Sequence, residues 1–144
     1  MDSKYYIPSI EEFHIGFEYE LLQGHENPKW NKLILGFEDT FYHTHFKFPV
    51  HIRAFIEMEK CRVKYLNKED IESLGFKHIL GRYFMNCIIN DEKEEIYLEE
   101  SYPAGSHSIC ICNGLSFEDE ISWFRGIIKN KSELKTIMKQ IGIL

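Results

Sequence analysis

Apolar and polar positions alternate over residues 13–22. Phe13, Ile15, Phe17, Tyr19 and Leu21 fall on one side, and His14, Glu18 and Glu20 on the other. A period of two is the signature of a half-buried strand. Residues 23–29, with Gly24 and Pro28, form a turn, and Trp30 to Phe37 resume as a strand. Residues 38–60 show no single period. Pro49 interrupts them, and a strand followed by a short helix or loop near 50–58 is expected. Arg62 to Leu66 predict a short strand. Asn67 then caps a helix that runs to roughly Leu74, with Glu69 and Asp70 in its first turn. Ile71 and Leu74 supply its apolar face, and Gly75 its stop.

The remainder is patterned as a meander. Tyr83–Ile89, Glu95–Glu99, His107–Cys112 and a strand from Ile121 to Lys129 follow in turn. The acidic run Asp91 to Glu95 is expected to connect the first two, and Pro103-Ala104-Gly105 the next pair. Ser132 is the expected cap of a last helix. Leu134, Ile137, Met138 and Ile141 recur at helical spacing, and Gly142 ends the stripe. The expected fold is α+β: a mainly antiparallel twisted sheet with a short central helix and a C-terminal amphipathic helix. No Pro/Gly/Ser-rich linker divides the 144 residues, which predicts a single domain over 1–144.

Composition sharpens this picture. Aromatic residues make up 15% of the chain, enough ring surface to argue for a packed core rather than disorder. The net charge of −6 repels a phosphate backbone at long range, so duplex nucleic acid is not expected as a partner. It does not exclude a small anion in a locally basic site. Met1-Asp2-Ser3-Lys4 has none of the character of a secretory leader, and no apolar run reaches membrane-spanning length. The expectation is a protein of the cytoplasm with no membrane partner, whose cysteines 61, 87, 110 and 112 are free thiols.

Motifs for catalysis are sparse. Cys110 and Cys112 with His107, and the pair His43 and His45, invite a zinc reading, but an i, i+2 spacing on a strand only puts two side chains on one face. No metal or other cofactor is expected. No Gly-x-Ser-x-Gly elbow and no phosphate loop is present. None of the 7 His has Ser or Thr two residues later, which argues against a two-histidine phosphoesterase. Glu18 and Glu20 share a strand face, where a solvated role is expected rather than acid–base work.

The most suggestive stretch is Phe37 to Arg53, where rings, three histidines and cations crowd together. Rings that stack on a planar base, with cations for phosphates, are what a nucleotide site needs. The competing reading is a core segment whose rings pack inward. The candidate contacts are Phe41, Tyr42, His43, His45, Lys47 and Arg53, with Arg62, Arg82, Trp123 and Arg125 further out.

Three blocks are familiar in combination: Tyr5-Tyr6-Ile7-Pro8 with the run from Glu11 to Glu20, the run from Val63 to Phe76, and the run from Phe124 to Lys135 on through Gly142. In this order they resemble a family of small uncharacterised proteins carried by phages and prophages of Bacteroidetes. The resemblance covers roughly a third of the chain. It implies a phage accessory protein in the host cytoplasm but carries no catalytic residue over. The leading expectation is a non-enzymatic sponge that binds a small nucleotide-type immune signal of the host, with a homo-oligomer expected. Two alternatives stay open. One is a protein-interaction module that inhibits a host or phage protein. The other is a hydrolase of a nucleotide signal acting through His43, His45 or His107.

Overall fold

A computed structural model describes residues 4–36, 50–89, 91–101, 106–112 and 121–144. The fold is α+β. It comprises two antiparallel sheets with short helices, and it divides into two compact units, Met1–Tyr65 and Leu66–Leu144.

The first unit holds β1 (Tyr5–Tyr6), a single 3-10 turn (Ile10–Glu12), β2 (Glu18–Gln23), β3 (Lys29–Ile34), α1 (Val50–Glu57) and β4 (Cys61–Lys64). Its strands lie in the order β1-β4-β2-β3. The strand expected over 13–22 begins only at Glu18. Gly16 takes a φ of +89°, and a turn closes from the Phe17 N–H to the His14 carbonyl at 2.9 Å. Ile15 is thereby turned out, 57% exposed, while Phe17, Tyr19 and Leu21 remain buried. The ambiguous stretch near 50–58 resolves as α1.

Register divides this sheet into two faces. Glu20 stands opposite Arg62 and Leu21 opposite Cys61. Tyr19, Leu21, Cys61 and Val63 point to the core with Phe17, Leu35 and Ile52, against which Phe55 and Ile56 of α1 pack. The opposite face therefore carries Glu18, Glu20, Arg62, Lys64, Lys32 and Trp30, since alternate residues of a strand share a face.

The second unit holds α2 (Lys68–Glu72), β5 (Lys77–Ile79), β6 (Arg82–Ile89), β7 (Glu92–Ser101), β8 (Ser106–Cys112), β9 (Ile121–Ile127) and α3 (Lys131–Gln140). The strands form a meander in chain order. β7 reaches back into the acidic run expected to be a connection. Glu92 to Glu95 pair with β6, and Asp91, whose φ is +66°, stands in the turn before them. Ile71, Phe76, Ile96, Leu98, Ile128, Leu134 and Met138 make the core, with Ile137 and Ile141 packed against it. The stripe expected on the last helix is thus its buried face. Its cap differs from expectation. Asn130, not Ser132, is the N-cap, and its side-chain oxygen accepts from the Glu133 N–H at 3.0 Å. Asn67 caps α2 as expected, accepting from the Asp70 N–H at 2.9 Å.

Among the described residues no helix is long and apolar enough to cross a membrane.

Candidate functional site

Each strand of the first sheet contributes one side chain to a cluster on the face away from α1. Arg62 of β4 is its centre. The guanidinium carbon lies 3.8 Å from the centroid of the Tyr5 ring of β1 and 4.0 Å from that of Trp30 of β3. Its Nε donates to Glu20 Oε2 of β2 at 2.7 Å. The cation is thus flanked by two π faces and oriented by a carboxylate directly opposite it. Such contacts contribute about 0.5–1 kcal/mol each at exposed sites and about 2 when desolvated. Arg62 and Glu20 are both four-fifths buried, so their pairing is shielded more than a surface pair.

The arrangement follows from the strand pattern. The alternation of β2 sends Glu18 and Glu20 to one face. There each finds a cation instead of bulk water: Glu18 meets the Lys32 ammonium at 2.7 Å, and Glu20 meets Arg62. The solvated role expected of these two carboxylates is therefore corrected. The hairpin register sets Lys32 opposite Glu20 and Trp30 opposite Leu22, which carries the indole toward the guanidinium. Lys64, opposite Tyr5, shares the face. With Lys32, Lys64 and Arg62 against Glu18 and Glu20, the formal charge there is positive on a chain of net −6.

The other expected contacts are distributed differently. Phe41, Tyr42, His43, His45 and Lys47 lie outside the described residues. Arg53 is on α1, which covers the core face, so the sheet separates it from Arg62. It lies near Glu11, whose carboxyl is held below the ordinary range chiefly by its own backbone N–H and the Ser9 hydroxyl, with Arg53 adding attraction. Arg82 is in the second unit, 3.2 Å from a Glu99 carboxylate oxygen and 5.0 Å from the centroid of the buried Tyr97 ring. Backbone register sets Arg125 opposite Ser108, and Ser108 opposite Glu99, while Trp123 lies on the same strand as Arg125. Arg82 and Arg125 therefore belong near one row of the second sheet, and Arg62 belongs to the first unit.

Among the described residues no three His, Cys, Asp or Glu come together as metal ligands. Cys61 and Cys87 are free thiols. Burial pushes the Cys61 thiol up to about 12 and that of Cys87 up as well, so neither has the depressed pKa of a nucleophile.

Tyr5, Glu20 and Trp30 are the members that sequence reasoning passed over. Two acids alternating on one strand and a basic residue on another were visible, but the pairing of β2 with β4 spans 42 residues. No family model, no curated protein and no solved structure matches this chain.

Proposed function

We propose that this protein is a non-enzymatic binder that takes up a small nucleotide-type ligand and holds it unaltered. In the setting implied by the phage resemblance, that ligand is an immune signal of the host. The supporting observation is the Arg62 guanidinium flanked by Tyr5 and Trp30 with its Nε on Glu20. With rings over its faces, the guanidinium meets a ligand through its N–H edge, the geometry that suits paired phosphate oxygens. Tyr5 and Trp30 are only half-buried, so either ring can also stack on a base. Arginine keeps its proton at every physiological pH. The Glu20 carboxylate is already taken up by the guanidinium it orients. The chemistry of this face is therefore recognition rather than turnover.

The test is calorimetric titration with cyclic and ADP-ribose-type nucleotides, followed by chromatography of the recovered ligand. Wild-type protein binds at least one nucleotide and returns it intact, and Arg62→Ala and Trp30→Ala each weaken binding at least tenfold, about 1.4 kcal/mol. Equal affinity in both variants removes the site assignment. Conversion of the nucleotide replaces sequestration with hydrolysis, and no binding across the panel overturns the reading.

A further inference from the structure

The strand that carries Arg62 presents a line of cations. Arg62 and Lys64 alternate with the buried Cys61 and Val63, so both project from the face away from α1. The ladder continues one residue before β4, where the Lys60 carbonyl accepts from the Leu22 N–H at 2.9 Å, and the same alternation adds the exposed Lys60 to that face. Lys60, Arg62 and Lys64 thus stand at i, i+2 and i+4, about 6.5–7 Å apart. No acid interrupts the line. With Lys32 of β3, four cations on this face meet the two carboxylates of β2, Glu18 and Glu20.

Two rings flank the line, Tyr5 of β1 on one side and Trp30 of β3 on the other. β4 lies inside the sheet, between β1 and β2, so an extended peptide finds no free edge there to join. What the face offers is side chains: cations at a regular repeat with aromatic planes beside them. Single-stranded nucleic acid is bound by that combination, cations following the phosphates and rings stacking on the bases. The repeat then selects within the nucleotide class. Successive phosphodiesters of an extended strand are a whole sugar apart, a step comparable with i to i+2 of a β-strand. Adjoining phosphates of a di- or triphosphate share one oxygen and lie too close together to span two positions of the line.

We propose that the ligand of the Arg62 site is a short oligonucleotide, whose consecutive phosphates lie along Lys60, Arg62 and Lys64 and whose bases reach Tyr5 and Trp30. This rests on the reading of that site as nucleotide-binding and narrows it to two or three linked nucleotides. The acidic remainder of the chain limits the length, because a longer strand runs past the cationic line into a field of its own sign.

Titration calorimetry of the full chain with 5′-phosphorylated oligoribonucleotides of one to six residues tests it. Affinity rises roughly two- to fivefold with each phosphate up to the third and then levels off. Log affinity against log salt falls with a slope of about −0.7 per phosphate, so about −2 for the trinucleotide. Lys60→Gln and Lys64→Gln each flatten that slope by about 0.7 and leave the affinity for the mononucleotide near that of the wild type. Lys135→Gln, in the second unit, changes neither. A mononucleotide that binds through Arg62 as tightly as the trinucleotide overturns this proposal and leaves the reading of the site standing. So does a salt slope that neither lysine variant alters. No binding at any length overturns both. A hexapeptide of glutamate that binds as tightly as the trinucleotide overturns the proposal in favour of an acidic protein segment.

Discussion

Glu20 and Arg62 face each other across β2 and β4, and the guanidinium Nε donates to the carboxylate at 2.7 Å. Removing one partner leaves the other largely buried without its charge. Arg62→Ala is expected to destabilise the chain by about 1–3 kcal/mol in urea unfolding. The double variant Arg62→Ala with Glu20→Gln is expected to be less destabilised than the sum of its parts. Strict additivity would show that the pair makes no coupled contribution. Arg62→Lys keeps the charge but loses the planar surface that lies against Tyr5 and Trp30, so it recovers only part of the loss.

Leu80→Asn is expected to raise the melting temperature. Leu80 has a φ of +49° in the two-residue turn between β5 and β6, and this left-handed backbone disfavours a leucine by roughly 1–2 kcal/mol, whereas asparagine tolerates it. Leu80 makes no core contact whose loss would offset that gain, since it is 99% exposed. Differential scanning calorimetry of the two chains checks this. A lowered melting temperature would mean that the leucine stabilises the turn in a way its exposure does not reveal.

The start of α3 separates two capping residues. Asn130 accepts from the Glu133 N–H, and Glu133 returns an oxygen to the Lys129 N–H at 2.6 Å. Asn130→Ala is expected to lose about 1 kcal/mol and to strip hydrogen-exchange protection from the Glu133 amide. Ser132→Ala should leave that amide protected. Protection lost equally in both variants would return the cap to Ser132.

The Cys61 thiol is fully buried, and burial pushes its pKa up to about 12. An unfolded chain ionises this thiol from about pH 8.5, and the folded chain cannot. The linked contribution to stability is therefore complete below that range and is lost as pH climbs toward about 12. Cys61→Ala is expected to flatten the alkaline fall in stability measured by urea unfolding. An unchanged alkaline slope would assign the effect to other groups.

The elements that local chemistry decides were legible in the sequence. Asn67 followed by Glu69 and Asp70 marks a helix start wherever it occurs, and the spacing of Leu134, Ile137, Met138 and Ile141 admits one buried face. The boundaries that failed were settled by competition. Asn130 and Ser132 can both cap, and only Asn130 lies three residues before the acid that completes the motif. Glu92 to Glu95 look like a solvated connection, yet pairing with β6, and of Glu95 with β8 as well, draws them into strand β7. The Arg62 cluster was illegible for a different reason. Its members lie on four strands, and nothing local in Tyr5, Glu20, Trp30 or Arg62 reveals that β4 inserts between β1 and β2.

That insertion gives β1 a second significance. Among the described residues its backbone pairs with β4 at two positions, Tyr5 with Lys64 and Tyr6 with Val63, and the Tyr65 N–H donates to the Lys4 carbonyl at 2.9 Å. A two-residue edge strand is among the first parts of a sheet to open. Tyr5 leaves with it, and one face of the guanidinium is bared. Fraying of β1 and assembly of the cluster are therefore a single equilibrium. Any molecule that needs both rings in place must hold β1 down, so slower exchange of the Tyr65 amide becomes a direct gauge of occupancy.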